Sequence, residues 1–309
     1  MDLRQLEILQ GIAETGSFSA CGRKLHVSQS AISRQVILLE EELGEALFLR
    51  VGKRVRMTPA AESLVHLGHR VFQDVRETVG GITDRAKELT GTLRVSGGMT
   101  VCLYVFPSLL KQLRRVHPRL DVRLTVASAD RSVAEIRAGR VDAGLLTLPV
   151  EGADLTTLPV LQEELLVVTT PRHPLAKRRH IAPHDLADQP FVLFESGSAT
   201  RRGIDDFFVT QHIKPTIVME TENVEIIKAM VKIGLGIGIL PYLAIAREVR
   251  AGQFFCARVE GQKLVRDTGW VYAGGSRVPR PVQELLKAFD AIRTRLRVVP
   301  PRSLGRGAR

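Results

Sequence analysis

The sequence predicts a chain of three parts: a small helical domain ending in a β-hairpin, a long helix, and a larger domain of alternating strands and helices. Three observations support this. Short helical patterns fill the segment up to Gly44, and apolar residues then recur every three or four positions from Leu64 to Leu89. From Thr92 onward, runs of β-forming residues alternate with helical ones. The 309 residues are sufficient for two or three domains.

The segment from Ser17 to Gly44 has the pattern of a helix-turn-helix, two short helices joined by a tight turn. Ser17 and Ser28 are expected N-caps, and Gly44 is expected to end the second helix. The apolar positions, three or four residues apart, are Phe18, Cys21, Leu25, Ile32, Val36, Leu39 and Leu43. This stripe is expected to face a core.

The opposite face of the second helix is mostly polar. It carries Ser30, Arg34, Ile37 and Glu41, with Ser33 on its flank and Gln29 in the first turn. Short hydroxyls, an amide and an arginine at the start of an exposed helix suit base edges and phosphates of DNA. A solvated surface helix is the alternative interpretation of the same spacing.

The two segments that flank this motif also have clear local signals. Asp2 is expected to cap a first helix, with Gln5 completing a capping box. After Gly44, "LFLRVGKRVRM" contains two short runs around Gly52-Lys53, which predict a β-hairpin. A hairpin this basic is expected to lie along phosphates or to enter the minor groove.

A long helix is expected to follow the hairpin. Thr58 is its candidate cap, and Pro59 stands at its first position. A helix from Pro59 to Leu89 would be about 46 Å long. Its apolar repeat, close to 3.5 residues, favours a partner helix from a second chain. Packing against its own domain is the alternative.

Strands and helices alternate in the remainder of the chain. The expected strands are "TLRVS", "LDVRLTVA", "VDAGLLTL", "EELLVVTT", "PFVLF", "PTIVME" and "GWVYAGG". The expected helices run from the loop at residues 97–100 to about His117, through "RSVAEIRAGR", and over 199–211, 223–233 and 281–296. This alternation predicts a parallel sheet covered by helices.

Composition narrows the class of protein further. The net charge of +11 is concentrated from residue 277 onward, and residues 1–90 carry no net charge, so we expect a basic face and not a basic domain. Residues 298–309 are expected to form a basic, disordered tail. No apolar run or leader predicts a membrane span or a secretory signal, which favours the cytoplasm. Three separated cysteines fit a reducing compartment and argue against structural zinc.

Enzyme motifs are weak. The glycines at 234, 236 and 238 resemble a dinucleotide fingerprint, but they leave a helix and enter a strand, the reverse of what phosphate binding requires. No nucleophile elbow, zinc-protease or Walker sequence occurs. We therefore expect no catalytic residues, no cofactor and no metal.

The run "TGSFSACGRKLHVSQSAISRQVILLEEELGEALFLRVGKRVRMTPA" is similar, without gaps, to the winged helix-turn-helix of LysR-type transcriptional regulators. The resemblance continues through "GTLRVSG", "FPSLLKQLRRVHPRLDVRL" and "IIKAMVKIGLGIGILP", to about Arg297. The chain departs from the family at Cys21-Gly22, where two alanines are usual, at Ile37, where a polar residue is common, and at Ala61, where glycine is usual. Ile37 is a candidate contact for a thymine methyl.

The resemblance implies an N-terminal winged helix-turn-helix, a long linker helix, and a two-lobed α/β effector domain like a periplasmic binding protein. The implied DNA-binding domain is 1–58 and the dimerisation helix is 59–90. Lobe I is 91–160 with 267–297, and lobe II is 161–266. The implied function is binding of promoter DNA as a dimer or tetramer and response to a small effector between the lobes, with RNA polymerase a further candidate partner.

The resemblance also assigns residues. Implied DNA contacts are Ser28, Gln29, Ser30, Ser33, Arg34, Arg50, Lys53 and Arg54. Implied dimerisation positions are Leu64, Val71, Val75 and Ile82.

In the implied effector domain, ligands are expected at the carboxyl ends of strands, near helix N-termini. The candidate effector contacts are Thr100, Val101, Thr147, Ser196, Ser198, Arg201 and Thr221, with Arg202 adjacent. These polar groups predict a small, anionic effector, because the arginines can pair with a carboxylate. The alternative is that the hydroxyls serve only as helix caps and that the arginines are solvated.

Two other functions remain open at this point. Cys102 is expected at a helix N-terminus, where a lowered thiol pKa would allow redox sensing; a buried, inert thiol is the alternative. Residues 91–297 also resemble a stand-alone solute-binding protein.

Overall fold

A computed structural model describes residues 1–51, 54–83, 89–178, 181–261, 263–275 and 278–298. The chain divides into two compact units, Met1–Lys87 with Ala134–Val141, and Glu88–Val133 with Asp142–Arg309. None of the described helices is both long enough and apolar enough to cross a lipid bilayer.

The order of elements follows the predicted three-part chain. The helices are α1 Leu3–Thr15, α2 Phe18–Leu25, α3 Gln29–Leu43, α4 Pro59–Thr83, α5 Met99–Tyr104, α6 Phe106–Val116, α7 Ala129–Arg137, α8 Ala199–Thr210, α9 Val224–Lys232, α10 Tyr242–Arg250 and α11 Arg280–Arg293. The strands are β1 Phe48–Val51, β2 Arg54–Met57, β3 Gly91–Gly97, β4 Leu120–Val126, β5 Ala143–Thr147, β6 Leu155–Thr169, β7 Pro190–Leu193, β8 Thr216–Glu220, β9 Gly238–Pro241, β10 Phe255–Ala257 and β11 Val265–Ala273.

The three N-terminal helices begin at the predicted caps. Asp2 and Gln5 form the capping box of α1. Ser17 accepts a hydrogen bond from a backbone N–H in the first turn of α2, and Ser28 does the same for α3. Gly44 ends α3 in a left-handed conformation with a φ of 68°, which glycine adopts at little cost. The helix-turn-helix is therefore confirmed.

The hairpin is fastened to α3 by one carboxylate. Glu40 Oε1 accepts hydrogen bonds from the backbone N–H groups of Leu47 and Phe48 at 2.7 and 3.1 Å. Strands β1 and β2 then pair antiparallel, as predicted. Leu43, expected in the apolar stripe, is instead 42% exposed, because the buried stripe of α3 ends at Leu39.

The first half of α4 packs on its own domain. Ala61 and Val65 are buried in the same core as α1 and α3. At Gly68, a Cβ atom would lie 3.0 Å from the amide nitrogen of Gln10 on α1, so a larger residue would require the Gln10 side chain to shift. For this half of the helix, packing against its own domain, which was the alternative to a partner helix, is therefore what the structure shows. Leu89, expected on the helix, lies outside α4 and packs in the second unit.

The second unit contains a mixed sheet, whereas a parallel sheet was predicted. Strand β3 pairs parallel with β4 and β5, and β7 pairs parallel with β8. Strands β6 and β11 pair antiparallel with each other, and β11 also pairs antiparallel with β5. The long path is β10-β6-β11-β5-β3-β4, with β9 beside β6. The alternating pattern did not reveal that β6 and β11 reverse direction.

Two hydrophobic cores form the two lobes of this unit. The core of lobe I includes Leu93, Phe106 and Trp270, and the core of lobe II lies between Leu165 and Leu264. Strand β6 passes from one core to the other, and β11 returns. The lobe boundaries expected at 160/161 and 266/267 fall inside these two strands.

Lobe I departs from the expected single helix ending near His117. The segment is two helices, α5 and α6, which meet at Val105. Pro107 stands in the first turn of α6, and because it lacks an N–H it cannot extend the hydrogen bonding of α5. Strand β10 and helix α10 were not predicted, whereas β9 begins at Gly238, where the glycine run was expected to enter a strand.

Candidate DNA interface and effector cavity

Helix α3 presents a polar face to solvent. Ser28, Gln29, Ser30 and Arg34 are exposed, and Ser33 is partly buried. The face exists because Ile32, Val36 and Leu39 occupy the opposite side and are at most 4% exposed. The positive end of the helix dipole lies at the serine-rich start of α3, so this face suits an anionic backbone as well as base edges.

Ile37 extends this face by one turn beyond Arg34. It is 49% exposed, although it is a large aliphatic residue. An apolar side chain at this place can contact the methyl group of thymine in a major groove.

The basic residues near α3 are distributed unevenly. Arg23, Arg34 and Arg56 are exposed, whereas Lys24 forms an ion pair with Glu14. The expected wing contact Lys53 lies outside the described residues. For Arg50 and Arg54, the structure describes the backbone in β1 and β2 and not the side chains.

The expected dimerisation positions on α4 have different environments. Leu64 is partly buried against the core of its own domain, and Val71 is also partly buried. Val75 is 45% exposed. The side chain of Ile82 lies outside the description. Among the three of these positions whose side chains the structure describes, Val75 has the most apolar surface left for a second copy of the chain.

A cavity of about 160 Å³ lies between the two lobes. Lobe I contributes residues at the start of α5, the end of β4, the start of α7 and the end of β5, and lobe II contributes residues at the end of β7 and the start of α8. Of the expected effector contacts, Thr100, Val101, Thr147 and Ser198 line the cavity. A cavity of this volume holds on the order of ten water molecules, and a small organic molecule can fill it.

Two helices of ordinary length begin at the cavity wall. Ser128 accepts a hydrogen bond from the N–H of Arg131 at the start of α7, and Ser198 accepts one from the N–H of Arg201 at the start of α8. Both serines also line the cavity, so each hydroxyl caps a helix and forms part of the cavity wall. The first N–H groups of each helix lack intrahelical acceptors, and they place partial positive charge beside the cavity.

Two arginines line the cavity. Arg202 is exposed, and its Nη1 donates to the carbonyl of Gly197 at 2.5 Å. Arg266 is buried and pairs with Glu163. The sequence reasoning missed Arg266 and Thr200. Alternation along β11 was the available signal, because Arg266, Thr268 and Trp270 all point inward.

Arg201 requires a correction, because its side chain is not available to an effector. It is 6% exposed and absent from the cavity wall. Its guanidinium donates to Asp205 at 2.7 Å, to Glu220 at 2.5 Å and to the carbonyl of Phe194 at 3.0 Å. Burial opposes the charge, but the hydrogen bonds to both carboxylates outweigh it and raise the pKa of Arg201. Arg201 therefore braces α8 against its own lobe.

Ser196 and Thr221 also lie outside the cavity wall. Ser196 is exposed. Thr221 uses its hydroxyl oxygen to accept a hydrogen bond from the N–H of Asn223 at 3.2 Å. The loops after β7 and β8 carry the expected polar residues, Ser196 and Thr221, but neither side chain reaches the cavity.

Cys102 does not have the lowered thiol pKa that redox sensing would need. It is 8% exposed, and burial raises the pKa of the thiol to about 11. Its sulfur donates to the carbonyl of Gly97 at 3.3 Å. Burial outweighs the position near a helix start, so the inert alternative fits the structure. In the described part of the chain, no three His, Cys, Asp or Glu side chains are grouped as metal ligands.

Comparisons with known proteins agree with the two-part architecture. Residues 3–62 match the family described as bacterial regulatory helix-turn-helix protein, lysR family, and residues 86–292 match the LysR substrate binding domain. A probable RuBisCO transcriptional regulator from Trichormus variabilis is 32% identical over 275 residues, 87% of this chain and 81% of that protein. The RuBisCO operon transcriptional regulator of Allochromatium vinosum is 30% identical over 278 residues, 90% of this chain and 92% of that protein.

A solved structure has the same fold over nearly its whole length. Full-length OxyR from Pseudomonas aeruginosa, determined as a cysteine variant, has a TM-score of 0.77 and 26% identity, and the match covers 94% of each chain. Because a helix-turn-helix precedes the two lobes, the chain is not a stand-alone solute-binding protein.

Proposed function

This chain belongs to the LysR family of transcriptional regulators, and we propose that it reads duplex DNA with the exposed face of α3 and responds to a small organic anion in the interlobe cavity. As a member of this family it regulates transcription, binds DNA and a small effector, and oligomerises. The identity of the contact residues and the class of the effector are the parts that we propose.

The DNA contacts are inferred from exposure and chemistry. Gln29, Ser30 and Arg34 are exposed on the N-terminal half of α3, with Ser33 beside them. An amide and a guanidinium can each form two hydrogen bonds with a purine edge, and serine hydroxyls reach bases or phosphates. In a dimer, two copies of α3 would enter successive major grooves of an inverted repeat.

The effector class is inferred from one observation above all: a buried arginine, Arg266, lines a cavity at which α7 and α8 also begin. A guanidinium and two helix N-termini favour a negatively charged group, and they act against the carboxylates of Asp130 and Glu222, which also line the cavity. Thr100 and Ser198 add hydroxyls from opposite lobes. An anion bound to both lobes would favour one lobe arrangement over another, which is how ligand binding changes DNA binding.

We further propose that the cavity binds its ligand without transforming it, that the protein needs no metal or cofactor, and that it works in the cytoplasm. The grounds are the missing catalytic motifs and the DNA target. A redox function through Cys102 is not favoured, since its thiol remains protonated at neutral pH.

The proposal assigns DNA binding to α3 and anion binding to the cavity, so a variant at one site should lose one activity and keep the other. In mobility-shift titrations on a duplex selected from random sequence, Arg34→Ala should lower DNA affinity about tenfold or more, because a base or phosphate contact is lost. In thermal-shift titrations with small carboxylates and inorganic phosphate, Thr100→Ala should lower the anion response, and Arg34→Ala should retain it. Equal losses of DNA affinity and of anion response in both variants would contradict the proposal.

A further inference from the structure

One ion pair lies where the cavity meets the two strands that cross between the lobes. Arg266 on β11 is the register partner of Glu163 on β6, and both side chains are buried. Arg266 Nε and Nη2 donate to the two carboxylate oxygens of Glu163 at 2.8 and 3.2 Å. Thr268 donates to the same carboxylate at 3.0 Å. The crossover thus holds a charged group rigidly at the cavity wall.

The arginine has hydrogen-bonding capacity left over. A guanidinium carries five N–H groups. Two bind Glu163, and one on Nη1 donates to Thr200 on α8 at 2.9 Å. The other two, one on each terminal nitrogen, have no acceptor among the residues that the structure describes. A buried guanidinium with unused donors is costly unless water or a ligand in the cavity accepts from them.

We propose that Arg266 holds the acid group of the effector through these two N–H groups, and that Arg266 is the residue by which the cavity selects an anion. This inference rests on the proposed function and deepens it. Carboxylate oxygens accept strong, charge-assisted hydrogen bonds from a guanidinium, and its fixed planar shape sets the direction of each donor. Glu163 fixes the orientation of the arginine and balances its charge when no effector is bound.

The same contact links the ligand to the lobes. Arg266 belongs to a crossover strand, and its partner Thr200 belongs to α8 of lobe II. An acid group that accepts from Arg266 while the rest of the molecule contacts Thr100 joins the crossover to lobe I. Effector affinity then depends on the lobe arrangement, which is the condition for coupling.

The test uses full-length protein and whichever small carboxylate, or inorganic phosphate, most raises the melting temperature of the wild type. Its affinity is then measured by titration calorimetry for two variants with opposite expectations. Arg266→Lys keeps the charge and removes the paired donors, so the anion should bind about tenfold more weakly. Glu163→Gln removes the competing negative charge, so the anion should bind more tightly, although the protein itself melts earlier.

Arg258→Lys is the matched control. Arg258 forms the same kind of two-bond pair with Glu164, the next residue on β6, at 2.5 and 3.0 Å, and it does not line the cavity. Its anion affinity should stay within about twofold of wild type. Equal anion affinity in Arg266→Lys and Arg258→Lys, or weaker binding in Glu163→Gln, would overturn the role of Arg266 while leaving an anionic effector intact. If no anion stabilises the wild type, both the effector class and this inference fail.

Discussion

The ammonium of Lys228 lies 2.8 Å from the phenol oxygen of Tyr104, and this contact joins the two lobes. Tyr104 ends α5, whose first residues line the cavity, and it packs against both cores. Lys228 on α9 also pairs with Glu225 at 3.0 Å and Glu248 at 2.5 Å, and its ammonium lies 5.4 Å from the centre of the tyrosine ring. The short helix that lines the cavity at one end therefore contacts lobe II at the other.

Removing the phenol should weaken this contact in a pH-dependent way. Burial, together with the hydrogen bond to Glu225, raises the pKa of Tyr104 to about 12 from an ordinary value of 10.0. The folded state retains a proton that the unfolded chain loses above pH 10, so this stabilisation is complete below pH 10 and disappears as the pH rises through about 12. Tyr104→Phe should cost about 1 kcal/mol near neutral pH.

Urea unfolding of wild type and Tyr104→Phe across this range provides the test. The difference in unfolding free energy should be constant up to pH 10 and shrink above it. A difference that grows with pH would show that the phenol is not held in its protonated form by the lobe contact.

The thiol of Cys102 should be unreactive in the native protein. With a pKa of about 11, the thiolate fraction at pH 7 is on the order of one in ten thousand. Alkylation by iodoacetamide, followed by mass spectrometry of the Cys102 peptide, should be slow at pH 7 and should accelerate as the pH approaches 11. The same peptide in urea should react quickly at a lower pH. Rapid native modification at pH 7 would restore the redox alternative.

Ile37 should give the protein a preference for thymine at one position of each half-site. Burying one methyl group is worth about 0.8 kcal/mol, or roughly fourfold in affinity. Replacing individual thymines by deoxyuridine, which lacks only that methyl, should reproduce this loss at one position for the wild type. Ile37→Gln should be indifferent to the replacement there. Leu38→Gln, which alters a neighbouring exposed residue of α3, should remain sensitive. If both variants discriminate equally, Ile37 does not read the methyl.

Val75 should contribute to self-association. It is exposed on α4, beyond the half that packs on α1. Val75→Asp should weaken the dimer by about tenfold or more, because a charge buried without a partner is unfavourable. Sedimentation velocity over a range of concentrations measures this. Ser63→Asp, an exposed change on the same helix, serves as the control. An unchanged dimer in Val75→Asp would move the interface away from this residue.

The DNA-binding half was predictable from sequence because its signals are local. Asp2, Ser17 and Ser28 cap helices within three residues of themselves, so their roles are visible in the sequence. Leu43 was the exception. Its spacing fitted the stripe, but α3 runs one turn past the core, and only the packed structure shows where a core ends.

The effector cavity was predictable only in part, because its charged groups are defined by distant partners. Asp205, four residues after Arg201 on α8, was a visible partner for that arginine, but Glu220 approaches from strand β8. Arg266 pairs with Glu163 on the other crossover strand, and the two residues are too far apart in the sequence for any spacing rule to relate them. Thr100, Thr147 and Ser198 were expected at this cavity because helix starts and strand ends follow from the pattern and the resemblance implied a cleft between two lobes, and the structure places all three on the cavity wall.

The central claim is that α3 occupies the major groove, and methylation protection tests it most directly. Dimethyl sulfate modifies guanine at N7, an atom that lies in the major groove. On a selected duplex, the wild type should protect two clusters of guanines about one helical repeat apart. Arg34→Ala should lose this protection, whereas Arg123→Ala, which removes an arginine 68% exposed in lobe I, should keep it. Binding that leaves every guanine N7 reactive, or protection that Arg34→Ala retains, would contradict the account.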